Sequence, residues 1–266
     1  MFTRKNIFIH LFVLIYYSVG FSQGFVTTWT TTSNNETINI PMVSTGTGYN
    51  VDWGDSETSE DVTSNATSGP ATFASHTYVT AGTYTITITD GTSGGSYSRI
   101  VFNNTGDKDK IMSIESWGTN TWTSMANAFF GCSNLVNNAT DTPNLTGLTS
   151  VGLMFRNATS IGGGTSTNWD SWNMSNVTSM VQMFRGATAF NEDISSWNVS
   201  LVSNMNNLFN GATAFNQNIG NWMTSSVTTM ITTFRNATSF DPIQAISSNA
   251  IRTLPFSDSF PRNQKI

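Results

Sequence analysis

The hydrophobic pattern of this chain changes its period once. From Gly24 to about Asn104 apolar and polar residues alternate, most clearly from Thr83 to Thr89, where Tyr84, Ile86 and Ile88 share one face and threonines the other. A period of two rich in β-branched residues predicts half-buried strands. They are expected over residues 25–32, 36–40, 49–53, 75–78, 83–89 and 96–102, with Ala81-Gly82 as a tight turn. Clusters of Gly, Ser and Asn separate them, as in a small sandwich. Downstream the chain is similar to itself at a spacing of 25: Trp172, Trp197 and Trp222 keep it, as do Met180, Met205 and Met230, Phe184, Phe209 and Phe234, and Phe190, Phe215 and Phe240. Counted by the Met column there are five copies, at Met125, Val151, Met180, Met205 and Met230, spaced 26, 29, 25 and 25 residues.

Within one copy Val202, Met205, Leu208, Phe209 and Ala212 fall at helical spacing. That stripe predicts a helix of about three turns, capped by Ser200 or Ser203 and ending near Gly211. Ile194 and Trp197 belong to a short extended stretch. Each copy is then a strand, a turn and a helix, too small to bury its own apolar face, so the copies are expected to stack as an α/β solenoid. Asn191, Asn216 and Asp241 form a column placed to bond turn backbone between coils.

The first 23 residues carry a different signal. Arg4 and Lys5 precede an apolar run from Ile7 to Val19, and Gly20 and Ser22 supply small residues before a cut at Gln23. This reads as a secretory signal peptide, with a buried helix or an N-terminal anchor as the other readings. The run is shorter than the roughly 20 residues of a membrane span, and no later stretch is apolar for long enough. Cleavage after Ser22 takes the net charge from −5 to −7.

Composition narrows the partners. Charged residues make only 10% of the chain, while 12% is aromatic and 38% hydrophobic, enough for a core. Eleven basic residues against sixteen acidic ones give no footprint for nucleic acid. Cys132 is the only cysteine, so no intramolecular disulfide is possible, and its place among small residues of the repeat points to a packed thiol.

Two stretches carry resemblances. Val51-Asp52-Trp53-Gly54-Asp55, followed by His76-Thr77-Tyr78 and Gly82-Thr83-Tyr84-Thr85-Ile86, resembles the polycystic-kidney-disease (PKD) repeat, an immunoglobulin-like sandwich. Ser56 stands where that family often has Gly. Trp172-Asn173-Met174-Ser175-Asn176-Val177-Thr178-Ser179-Met180, then Met183-Phe184-Arg185-Gly186-Ala187-Thr188-Ala189-Phe190-Asn191, resembles the BspA-like leucine-rich repeat surface proteins over residues 111–241. Pro143, in place of a Trp, and extra residues near Gly162-Gly163-Gly164 depart from the pattern. The organisation these imply is a signal peptide (1–22), an all-β immunoglobulin-like (PKD-like) sandwich (23–105), a leucine-rich-repeat-type α/β solenoid of five repeats (106–241) and a cap or tail (242–266). The second resemblance implies a bacterial surface protein, some of whose relatives adhere to host or matrix proteins.

Candidate contact residues follow from the columns. Trp172, Trp197 and Trp222, with Trp117, offer either core packing or a platform on which sugar rings stack. Arg156, Arg185 and Arg235, with Asn210 in the gap, form either a solvated stripe or a contact for an acidic ligand, with Glu192 and Asp193 as possible counter-charges. The Met column reads as core. His76 reads as a structural hydrogen-bonding residue, and Asp52, Asp55 and Asp90 show no spaced run of calcium ligands. With one His and one Cys in separate modules, no nucleophile–base arrangement has support, no phosphate loop is present, and Glu192-Asp193 are neighbours and not opposed acids. The expectation is a secreted or cell-surface, non-catalytic binding protein without metal or cofactor, whose repeat surface meets an extracellular protein or matrix ligand. A glycan-binding module using the Trp column and a structural spacer are the alternatives.

Overall fold

The structure is a computed structural model that describes residues 23–45, 48–55, 60–62, 72–91 and 95–242. The expected signal peptide and most of the expected tail lie outside the described residues. Among the described residues nine strands form: β1 (Phe25–Thr31), β2 (Glu36–Thr45), β3 (Tyr49–Asp52), β4 (Glu60–Val62), β5 (Thr72–Tyr78), β6 (Gly82–Asp90), β7 (Ser96–Ile100), β8 (Ile111–Ser116) and β9 (Val136–Asn137). One sheet has the order β4-β3-β6-β1-β8-β9 and the other β5-β2-β7. Alternation decides which side chains are buried. In β1, Phe25, Thr27, Trp29 and Thr31 are buried while Val26, Thr28 and Thr30 are half-exposed. In β6 the expected apolar face keeps Ile86 and Ile88 buried, with Tyr84 packed at its margin.

The separate immunoglobulin-like, PKD-like sandwich expected over 23–105 is corrected by this topology. Both sheets are open, and the larger one runs on past residue 105. β8 pairs antiparallel with β1, setting Thr28 against Ser113 and Trp29 against Ile111, and β9 then adds in parallel to β8. The reason lies in residues 111–116, where Ile111 and Ile114 are fully buried once the stretch lies against the outer edge of β1.

The α/β leucine-rich-repeat solenoid is corrected as well. Among the described residues there is no α-helix, and the one regular helical turn is a three-residue 3₁₀ segment, Trp169–Ser171. The stripe taken for a helix is a chain of tight turns. Leu208 N–H donates to Met205 O, Asn210 N–H to Asn207 O and Ala212 N–H to Phe209 O, each bond spanning three residues. The amides between them leave the coil: those of Met205, Asn207, Phe209 and Gly211 donate to the carbonyls of Thr229, Ile231, Thr233 and Arg235 at 2.8–2.9 Å. Two left-handed residues, Asn207 (φ 56°) and Gly211 (φ 77°), make the alternation possible. A right-handed helix cannot contain such residues. Turns three residues apart and helix turns of 3.6 residues put apolar side chains at nearly the same spacing, so the pattern alone does not separate them.

The preceding coil repeats the arrangement. Met180, Gln182, Phe184 and Gly186 donate to Asn204, Asn206, Leu208 and Asn210, and isolated parallel bridges link Ser150, Ser179, Asn204 and Thr229 in series. The core between coils is aromatic: Phe129, Phe155, Phe184, Phe209 and Phe234 stack with ring centroids 5.6–5.8 Å apart. This column reaches back into the sheets, because Phe102 lies 6.3 Å from Phe129 and 5.8 Å from Trp29 of β1. The amides of Phe102 and Asn104 donate to Ala128 and Phe130 just as one coil donates to the next. Sheets and coils therefore share one hydrophobic core.

Candidate binding surface

The tryptophans are inside. Trp117, Trp172, Trp197 and Trp222 are 0, 2, 3 and 3% exposed. Trp197 stacks between Trp172 and Trp222 at 6.3 and 6.4 Å, and its indole N–H donates to Trp169 O at 2.6 Å. Trp222 likewise donates to Ile194 O at 3.1 Å. No ring face is left for a pyranose. Trp172, Trp197 and Trp222 are packing residues, so of the two readings of this column core packing stands and the sugar-stacking contact does not.

The coil surface is built instead from hydroxyls and amides. Thr178, Ser203 and Thr228 each send a side-chain hydroxyl to the carbonyl one coil earlier, on Thr149, Thr178 and Ser203. A second ladder runs through Thr159, Thr188 and Thr213, whose hydroxyls donate to Ser133, Thr159 and Thr188. Asn191 Oδ1 accepts from Asn216 N–H at 2.8 Å and Asn216 Oδ1 from Asp241 N–H at 2.9 Å, the inter-coil bonds expected of that column. These ladders use up polar groups at coil edges, where unpaired backbone would otherwise compete for water.

The arginine column stands out from this neutral lattice. The residue after each stacked Phe is in turn Phe130, Arg156, Arg185, Asn210 and Arg235. The guanidinium of Arg156 sits over the Phe130 ring, 4.6 Å from its centroid. Arg156 is half-buried, and its Nε is enclosed without a hydrogen-bond partner. Burial, and then the charge of Arg185, push its pKa below the ordinary arginine value. The Arg185 guanidinium donates one bond, to Gln182 Oε1 at 3.3 Å, and Arg235 is exposed. Asn210 Nδ2 donates to Asn207 Oδ1 within its own coil.

Glu192 and Asp193 do not serve as counter-charges. Among the described residues no carboxylate lies within ion-pair distance of these arginines. Asp193 caps its own turn through Ser195 N–H at 2.9 Å, which holds its pKa low, while burial raises that of Glu192. Phe130, which the sequence reading passed over, is the residue that orients Arg156. Its position one after Phe129 was the available signal.

The other chemistry-bearing residues are occupied structurally. His76 Nε2 meets Asp55 Oδ2 at 2.7 Å and its ring stacks on Trp53 at 5.1 Å. Asp52 Oδ1 accepts from Gly54 N–H at 3.0 Å. Cys132 is a buried free thiol whose pKa burial drives up. Among the described residues no three His, Cys, Asp or Glu side chains gather as a metal site, and no helix is long and apolar enough to cross a membrane.

What the fold defines is a pair of open sheets continued by stacked, turn-built coils. The chain matches a family model described as Mycoplasma protein of unknown function, DUF285, over residues 98–171 and 163–260. The match covers more than half of the chain, which belongs to this family. That membership replaces the BspA-like leucine-rich-repeat resemblance, and the two open sheets replace the PKD one. No curated protein and no solved structure matches the chain.

Proposed function

We propose that this is a secreted or cell-surface binding protein, without catalysis, that meets an extracellular protein or matrix ligand through the outer surface of its coils. The observation that carries the reading is the combination of a neutral hydroxyl and amide lattice with a row of arginines that no carboxylate among the described residues neutralises. A broad surface with many weak, regularly placed polar groups suits recognition by shape and hydrogen bonding. Export is supported by the basic, apolar and small-residue order of residues 1–22. The absence of catalysis is supported by the use of His76 in a structural pair and the burial of Cys132.

Excising residues 180–229 removes two successive coils and brings Ser179 next to Met230, which keeps the 25-residue spacing. With the fold checked by circular dichroism, the shortened chain should lose binding to immobilised matrix proteins or intact cells that the full chain retains. Equal binding by both chains refutes the reading.

A further inference from the structure

We propose that Arg156 and Arg185 together hold one tetrahedral oxyanion, a sulfate or phosphate group. The proposal deepens the binding-surface reading and rests on it.

The two arginines occupy consecutive positions of one column, and their coils are joined beside them by a bond from Asn157 N–H to Arg185 O at 2.7 Å. Parallel chains bonded this way run about 4.8 Å apart, so two positive side chains rise from the surface one strand-spacing apart. Like charges so placed repel, and no carboxylate of the described residues lies within ion-pair distance of either arginine. The Phe130 ring, one coil earlier in the same column, holds the Arg156 guanidinium at 4.6 Å, and an arginine held by an aromatic face loses less freedom on binding. The Arg156 guanidinium donates no hydrogen bond within the described residues and the Arg185 guanidinium donates one, so, the enclosed Arg156 Nε aside, most of their N–H groups remain to be used. Each guanidinium offers a fork that fits two oxygens of an oxyanion. A tetrahedral group presents oxygens to both forks and brings enough negative charge to relieve the repulsion. A carboxylate carries a single charge and offsets only one of the two guanidinium charges.

The column also says where the site ends. Asn210 follows Arg185 and spends its amide on Asn207, so Arg235 stands two coils away and outside the clasp. A polymer bearing oxyanions would gain from Arg235 as a further contact, and a free ion would not.

The test is titration calorimetry of the full chain at fixed ionic strength with inorganic phosphate, inorganic sulfate and dextran sulfate. Parallel titrations use R156Q, R185Q and R235Q, with melting curves to check folding. The expected result is saturable binding of both inorganic ions, weakened about tenfold by R156Q and by R185Q and less than twofold by R235Q. Tighter binding of dextran sulfate that R235Q also weakens identifies a polymer-borne group. Equal affinity for dextran sulfate and inorganic sulfate identifies a free ion. Absence of saturable binding, or equal weakening by all three variants, overturns the proposal. If R156Q fails to fold, R185Q decides alone, since Arg185 makes a single side-chain bond. Absence of saturable ion binding together with matrix binding that is lost on excising residues 180–229 leaves the broader reading standing and removes only the oxyanion site.

Discussion

Replacing Phe129 by Ala tests whether sheets and coils are one cooperative unit. Phe129 is fully buried and joins both parts: its ring lies 6.3 Å from Phe102, 6.0 Å from Trp117 and 5.6 Å from Phe155, the last in a near-parallel stack of 9°. Phe102 in turn packs 5.8 Å from Trp29. Truncating a buried Phe costs about 3–5 kcal/mol in transfer and cavity terms. A cost of ~4 kcal/mol is a large part of the ~5–15 kcal/mol that holds a typical domain folded. At about 2–4 °C per kcal/mol for a unit of this size, the melting temperature should fall by roughly 8–16 °C. The discriminating assay is hydrogen exchange. If the core is shared, amides of β1 and β6 lose protection together with those of Phe155, Phe184 and Phe209, and unfolding followed by circular dichroism keeps one transition. Two separate transitions, or β1 amides protected as before, would refute the shared core.

Three further outcomes are expected. Asp141 gathers the junction through Trp117 N–H, Gly118 N–H and Ser116 Oγ, each at 2.9 Å; Asp141→Ala should cost about 3 kcal/mol by orphaning these donors, and an unchanged urea midpoint would contradict it. Leu153 is held at φ 58° in the column where Asn127 and Asn207 stand; because Asn tolerates that region better, Leu153→Asn should stabilise by about 1 kcal/mol, and a lower melting temperature would oppose the idea. Thr32 N–H first, then Lys110 and Ser33 N–H, lower the Glu36 pKa from 4.5 to about 2. A lowered folded-state pKa gives stability that is present above 4.5 and disappears as pH falls toward about 2. The melting difference between wild type and Glu36→Gln should therefore shrink across that window, and a difference independent of pH would argue against the Glu36 contacts.

Much of the strand region was legible because its period of two is a direct consequence of one buried face. Tyr84, Ile86 and Ile88 were placed on one side of a strand, and the pairing of β1 with β6 in unbroken register follows the same alternation. What the pattern left out was where the sheet stops. Residues 111–116 contain two isoleucines that look like the start of a repeat, and only the free edge of β1 makes them a strand. Edge pairing is decided by geometry between distant segments, which no local period records.

The coils show the opposite limit. Their side-chain columns were visible in the text of the chain, but the backbone was misassigned, because three-residue turns and an α-helix share an apolar spacing. The distinguishing signal was present in the polar positions. Asn127, Asn157, Asn207 and Asn236 all adopt positive φ, as do Gly131, Gly186 and Gly211. Two such positions four residues apart in every coil are expensive in a helix and natural in a string of turns. The same consideration separates the two candidate columns. Each Trp of the column stands three residues after a buried apolar residue, Ile114, Trp169, Ile194 or Ile219, so burial is the arrangement in which all of them leave water together. The Arg column recurs beside left-handed Asn and Gly residues, where Arg156 and Arg185 stay partly exposed. Partial exposure without a carboxylate partner among the described residues is what makes Arg156 and Arg185 a binding candidate and leaves the tryptophans a structural one.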